Sequence, residues 1–71
     1  MRTREEHLDF CKRRALEYLD AGDLVNAVTS MGSDLDKHPE TRASAELVLL
    51  GGMYALNQDA AGVRRWIEGF R

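Results

Sequence analysis

The residues best suited to metal binding in this 71-residue chain lie close together near its start. His7 and Cys11 are four residues apart, so a helix would present the imidazole and the thiol on one face, and His38 could supply a third ligand. A structural zinc site needs four ligands with short paired spacings, which this sequence lacks. A lone cysteine on an apolar stripe is typical of a small buried side chain. We therefore expect no metal and no cofactor.

The same pair is an insufficient basis for catalysis. A cysteine–histidine nucleophile needs a third group that orients the histidine and donors that stabilise an oxyanion, and the sequence indicates neither. Asp34 and Asp36 lie two residues apart on a predicted helix, so their carboxylates point to different faces and make a poor acid–base pair. We predict that the protein is not an enzyme.

The densest basic run consists of Lys12, Arg13 and Arg14, and it is the candidate contact for nucleic acid. Acidic residues share the same predicted helix, so a solvated face of paired charges is the preferred interpretation. The next predicted helix carries two aspartates and one lysine, which is the wrong sign for a helix that reads the major groove. A small nucleic-acid-binding regulator stays open as the alternative function, although we expect nucleic acid not to be the partner.

Composition restricts the remaining classes. Ten basic and twelve acidic residues give a net charge of −2, so no global field draws the chain to nucleic acid or to an anionic membrane. Residues 1–71 are expected to form one small globular domain. The single cysteine excludes an internal disulfide and fits a reducing cytoplasm. Met1 precedes a charged run, so we expect no signal peptide, and the longest apolar run is about half of a membrane span.

The first two predicted helices form a hairpin. Thr3 and Glu6 match a capping box that begins the first helix. Gly22 can end that helix in the left-handed conformation, and Asp23 is a preferred cap for the second. Because only these two residues separate the helices, we expect them to pack against each other in antiparallel orientation.

The second pair of predicted helices is less regular. Thr41 is the predicted cap of the third helix, whose apolar residues cover more than one face, so we expect it to be the central and most buried element. Gly51 and Gly52 interrupt it, and a close backbone contact is the expected reason. Asp59 is the predicted cap of a shorter fourth helix. The fold is therefore predicted to be all-α, with helices over about residues 4–21, 24–37, 41–57 and 60–69.

The second half of the chain repeats the first at an offset of 36 residues. The aligned pairs are Ala15 with Gly51, Tyr18 with Tyr54, Asp23 with Asp59, Ala27 with Val63 and Met31 with Ile67. This pattern resembles the tetratricopeptide repeat, a helix–turn–helix unit of about 34 residues. The resemblance implies two stacked, degenerate repeats, about 4–39 and 40–71. The second departs from the family pattern because Gln58 replaces the turn glycine and no closing proline follows. Any short antiparallel hairpin selects similar residues, and that interpretation stays open.

Three segments, REEHLDFCKRRALEYLDAGD, SDLDKHPET and WIEGF, resemble those of a group of short bacteriophage proteins without assigned activity. This second resemblance implies a phage protein that acts in the host cytoplasm. It carries over no catalytic or binding residue.

Two helical repeats are too few to bury their apolar faces, since about three are usually needed. We therefore expect a protein partner, first of all a second copy in a homodimer or higher homo-oligomer, and otherwise a host protein. The chain is interpreted as a small protein–protein interaction or assembly module. Trp66 and Phe70 can instead close the core against the third helix. The predicted interface residues are Val48, Leu49, Met53, Trp66 and Phe70.

Overall fold

The computed structural model of the chain describes residues 3–71, which form four α-helices and, within that range, no strand. The predicted all-α fold with four helices is confirmed. Each predicted helix is present, although the ends differ by up to four residues. The bounds are α1 Arg4–Asp20, α2 Leu24–Asp36, α3 Ala45–Leu56 and α4 Ala60–Glu68.

The start of α1 and the turn that follows it form as the sequence predicts. The hydroxyl of Thr3 accepts from the Glu6 N–H at 3.1 Å, and the Glu6 carboxylate accepts from the Thr3 N–H at 3.1 Å. At the other end Gly22 has a φ of 80°, which only glycine adopts readily. The carboxylate of Asp23 then accepts from the Asn26 N–H at 3.1 Å and begins α2. Local hydrogen bonds therefore determine both helix ends.

The turn between α3 and α4 repeats this geometry 36 residues later. Gln58 has a φ of 54°, in the same left-handed region as the first turn. The N–H of Asp59 donates to the Tyr54 carbonyl at 2.9 Å, and its side chain accepts from the Gly62 N–H at 2.8 Å. The backbone N–H of Asp23 makes the matching 2.9 Å bond in the first turn. The sequence repeat is therefore also a structural repeat at the turns.

Because both turns have a residue in the left-handed region, glycine at position 58 and alanine at position 22 should change the free energy of unfolding in opposite directions. A left-handed non-glycine residue is strained by about 1–2 kcal/mol, so Gln58→Gly should raise the free energy of unfolding by about 0.5–1 kcal/mol after the entropy of the unfolded chain is included. Gly22→Ala should lower it by about 1–2 kcal/mol. Urea denaturation followed by circular dichroism measures both. Asn57→Gly is the control, because its φ of −84° is ordinary and glycine there should only destabilise. A loss of stability in Gln58→Gly would show that the second turn lacks this backbone.

The predicted start of α3 is wrong. Ser44, not Thr41, caps this helix, and its hydroxyl accepts from the Leu47 N–H at 3.2 Å. Thr41 is buried, and its hydroxyl donates to the Leu35 carbonyl at 2.7 Å. That carbonyl lies near the end of α2, where the residue four positions on is Pro39, which has no N–H to donate. Thr41 therefore completes α2 instead of beginning α3.

The four helices pack in a ring. Each helix contacts the next along the chain, α1 also contacts α4, and α2 and α4 meet across the middle. In the part of the chain that the structure describes, α1 and α3 do not pack on each other. The tetratricopeptide-like mode of stacking stays a prediction. The buried apolar side chains are Leu8, Cys11, Ala15, Leu19, Ala27, Val28, Met31, Leu35, Ala55, Val63, Trp66 and Ile67.

The prediction that α3 is the most buried helix is also wrong. Of its twelve residues only Gly51 and Ala55 are buried, whereas α1 and α2 each bury five residues and α4 buries four. The indole of Trp66 lies directly over Gly51, where a Cβ would be 2.6 Å from the ring. The close contact expected at this glycine is therefore made with a side chain. Gly52 has no such contact, since a Cβ there would meet nothing within 4 Å.

Candidate protein-interaction surface

His7 and Cys11 lie inside the molecule, between α1 and α2. The Cys11 Sγ is 3.6 Å from the His7 Nε2, and the same nitrogen is 2.7 Å from the backbone carbonyl oxygen of Asp34. A carbonyl only accepts, so the Nε2 of His7 carries the hydrogen in this contact. The His38 ring lies 5.5 Å from the His7 ring, centre to centre. Among residues 3–71, no group of three or more His, Cys, Asp or Glu side chains could hold a metal ion.

Asp34 is a buried carboxylate whose position the sequence did not indicate. Its side chain is 2% exposed, and it forms ion pairs with Arg14 at 3.3 Å and with Lys37 at 3.1 Å. Asp36 instead pairs with Arg42 at 2.9 Å on the surface, so the two aspartates do point to different faces. The cations stay in contact with water while they neutralise the buried anion, and the group joins α1 to α2. Lys37 faces Oδ1 and Arg14 faces Oδ2, although Oδ2 accepts no hydrogen bond from the described residues.

The basic run on α1 is used within the chain. The ammonium group of Lys12 donates to the Glu68 carbonyl at the end of α4, at 3.3 Å. Arg13 pairs with Asp9 at 3.1 Å, and Arg14 forms the ion pair with the buried aspartate. The three predicted nucleic-acid contacts thus have three separate partners and form no continuous basic stripe. Nothing in this arrangement favours nucleic-acid binding, which stays an alternative prediction from the sequence.

Trp66 and Phe70 join α4 to α3. Trp66 is 7% exposed, and its indole N–H donates to the Leu47 carbonyl at 2.8 Å. The ring of Phe70 meets the indole edge-on, with centres 5.0 Å apart and planes at 87°. This arrangement matches the second of the two roles that the sequence left open, closure of the core against α3. Of the five predicted interface residues, Trp66 is therefore the one that the chain itself largely buries.

The outer side of α3 is a large apolar surface, which we call the α3 patch. Three predicted interface residues, Val48, Leu49 and Met53, belong to it. Leu49, Met53 and Leu56 follow one another at helical spacing and form a ridge, with exposures of 67%, 59% and 80%. No helix among residues 3–71 is long and apolar enough to cross a membrane. The α3 patch consists of Leu47, Val48, Leu49, Leu50, Met53 and Leu56 of α3, with Val25 of α2.

The α3 patch is about as large as the apolar part of a standard interface. The exposed fractions of these seven residues, summed over the outer face of α3, both of its flanks and Val25, correspond to apolar surface on the order of 500 Å². The largest apolar patch on a typical monomer is about 300–600 Å², and it is often functional. A standard protein–protein interface covers about 800 Å² on each partner, of which about 60% is apolar, or roughly 500 Å². The patch therefore supplies what one side of such an interface needs.

A groove runs beside the ridge, between α2 and α3, and we call it the α2–α3 groove. Its larger part has a volume of about 580 Å³ and continues into a hollow of about 180 Å³. Gly52 lies in both parts, and a glycine inside a helix is less favourable than alanine by about 1 kcal/mol. No contact within the described residues explains this glycine. The groove is lined by Val25, Val28, Thr29, Gly32, Ser33, Asp36, Ala43, Val48, Leu49, Gly52, Ala55 and Leu56.

The α3 patch and the α2–α3 groove carry almost no charge. Neither α2 nor α3 contains a lysine or an arginine. The only charged residue of α3 is Glu46, in its first turn. Asp36, which lines one end of the groove, is paired with Arg42. The surface is therefore neutral at its centre, with acidic groups only at its ends.

Comparison with known proteins adds no relative from which a role could be taken. No protein-family model, curated protein or solved structure matches this chain.

Proposed function

We propose that the chain is a small, non-enzymatic protein–protein interaction or assembly module that self-associates through the α3 patch. One observation carries the proposal: α3 exposes six large apolar side chains and has a single charged residue. Full burial of each such side chain is worth about 1.5–3 kcal/mol. A contact that covers the patch therefore has a large driving force, and the surface fits a protein partner.

The arrangement of the polar side chains supports a non-enzymatic role. The imidazole of His7 is hydrogen-bonded to a backbone carbonyl, and Asp34 is held between two cations. A catalytic site brings titratable groups together in a cleft that a substrate can enter. The α2–α3 groove, by contrast, is lined mainly by apolar and small residues. Its polar side chains are the hydroxyls of Thr29 and Ser33 and the carboxylate of Asp36, which is paired with Arg42.

A second copy is the first partner that we propose, since closed dimers are the commonest assembly of soluble chains. A host protein is the second, and it rests only on the sequence resemblance to short bacteriophage proteins. Both partners would use the same apolar surface, so the same variants test them.

Leu49→Glu tests the proposal. The side chain is 67% exposed, so the fold should persist, whereas a carboxylate buried in an interface is strongly unfavourable. We expect the wild type to exceed the 8.0 kDa of one chain in light scattering, and the variant to weaken association by about tenfold or more. Ala61→Glu adds the same charge on the exposed side of α4 and is the matched control. The proposal fails if both variants behave as the wild type does, in self-association and in affinity capture from the native host.

A further inference from the structure

We infer that a second copy of this chain docks by laying its own ridge, Leu49, Met53 and Leu56, into the α2–α3 groove, and that two copies do so reciprocally. This inference rests on the proposed function and names the partner and the binding mode of that surface. The contact is two-fold, so each copy gives one ridge and receives one.

The ridge and the groove are neighbours on one side of the molecule. The ridge is the outer face of α3, and the groove is bounded by α3 and by α2. The thirteen residues of α2 span about 20 Å and the twelve of α3 about 18 Å, so a helix as long as α3 fits along the groove. A two-fold axis between ridge and groove brings each ridge onto the opposite groove. The chain thus contains both halves of the contact.

The floor of the groove permits a close approach of two helices. A Cβ on Gly52 would point into open space, and one on Gly32 would reach only ordinary contact with Val48, at 3.7 Å. Helices approach to 8–10 Å according to the side chains at their contact, and small residues allow the shorter distances. Gly32 and Gly52 are helical glycines that no close contact among the described residues requires, whereas Trp66 lies over Gly51 and Tyr54 lies against Gly62. A helix seated in the groove supplies the missing reason.

Charge also favours a second copy over a charged partner. In a two-fold contact each residue lies near the same region of the other copy, so a strongly charged centre would repel itself. The centre of this surface is uncharged, and its acidic residues, Glu46 and Asp36, lie near the ends. A basic or acidic partner would find no complementary cluster here. The apolar content of the α3 patch matches what one side of a standard dimer requires.

The test uses one variant that blocks the groove, one variant that disables the ridge, and an equal mixture of the two. Gly52→Leu fills the groove, and Met53→Glu disables the ridge, because Met53 does not line the groove. Each variant alone should weaken self-association by about tenfold or more. A mixture should associate more tightly than either variant alone, since the intact ridge of Gly52→Leu fits the intact groove of Met53→Glu. Sedimentation of the two variants, singly and in equal mixture, measures this complementation.

Thr29→Arg is a second groove variant in case the leucine disturbs α3. Its side chain is exposed on α2 and lines both parts of the groove, so it blocks the groove without altering α3. Circular dichroism confirms that each variant is helical. If the wild type associates and Leu49→Glu disrupts it, but the groove variants and the mixture show no effect, this binding mode is wrong while the proposed function stands. If the wild type stays monomeric at micromolar concentration, both this binding mode and self-association through the α3 patch are wrong.

Discussion

Trp66→Ala is expected to lower the free energy of unfolding by about 3–5 kcal/mol, close to the whole stability of a domain this small. The indole is 7% exposed and covers Gly51, so its removal leaves a cavity between α3 and α4. The Leu47 carbonyl also loses the indole N–H that it accepts at 2.8 Å. The variant should be partly unfolded at room temperature.

Urea denaturation followed by far-ultraviolet circular dichroism measures this loss, because the variant has no tryptophan fluorescence. Trp66→Phe keeps an aromatic ring over Gly51 and removes the indole N–H, so it should lose only about 1–2 kcal/mol. At concentrations where light scattering gives one chain, Leu49→Ala, an exposed apolar position on α3, should stay within about 0.5 kcal/mol of the wild type. A stable Trp66→Ala protein that only fails to self-associate would instead place the indole in the interface.

The sequence predicts well whatever depends on neighbours along the chain. The caps at Asp23 and Asp59 are correct because an aspartate bonds an N–H three residues on, wherever the rest of the protein lies. The same holds for the Thr3 and Glu6 capping box and for the left-handed residue at Gly22. The 36-residue offset aligns the two turns correctly for the same reason, since the hydrogen bonds of each turn are made by residues close in the sequence.

The sequence fails where two equally good local signals compete or where packing decides. Thr41 and Ser44 are both acceptable caps for α3. Pro39 has no N–H to donate to the Leu35 carbonyl, so the Thr41 hydroxyl donates to that carbonyl and Ser44 caps α3. The burial of Asp34 depends on Arg14, which only the packing of α1 on α2 brings near. Spacing along the chain predicts neither the contact of the Thr41 hydroxyl with the Leu35 carbonyl nor the contact of Arg14 with Asp34.

The orientation of α3 was unpredictable for a further reason. A helix that is apolar on one face shows which side turns inward, but α3 is apolar all round, so periodicity assigns no inner face. Such a helix is buried on every side only if enough protein surrounds it. Here α2 and α4 cover one side, and the remaining apolar residues become the α3 patch. The error about burial and the candidate interaction surface therefore have the same origin.

Gly51→Ala and Gly52→Ala are expected to change stability in opposite directions, although the residues are adjacent in one helix. A Cβ on Gly51 would lie 2.6–2.9 Å from three indole carbons of Trp66. Overpacking of this kind costs about 1–3 kcal/mol, and the helix propensity of alanine returns about 1 kcal/mol, so the net loss should be up to about 2 kcal/mol. At Gly52 nothing lies within 4 Å, so alanine should stabilise the single chain by up to about 1 kcal/mol.

Urea denaturation of both variants, at concentrations where light scattering gives one chain, measures this difference without a contribution from association. Helix propensity and the entropy of the unfolded chain act almost equally at the two positions, so their difference isolates the contact between Gly51 and the Trp66 ring. Equal effects would mean that the indole does not lie over α3. Opposite effects would establish that the groove at Gly52 is open in the single chain, and that the missing side chain there leaves room for a partner.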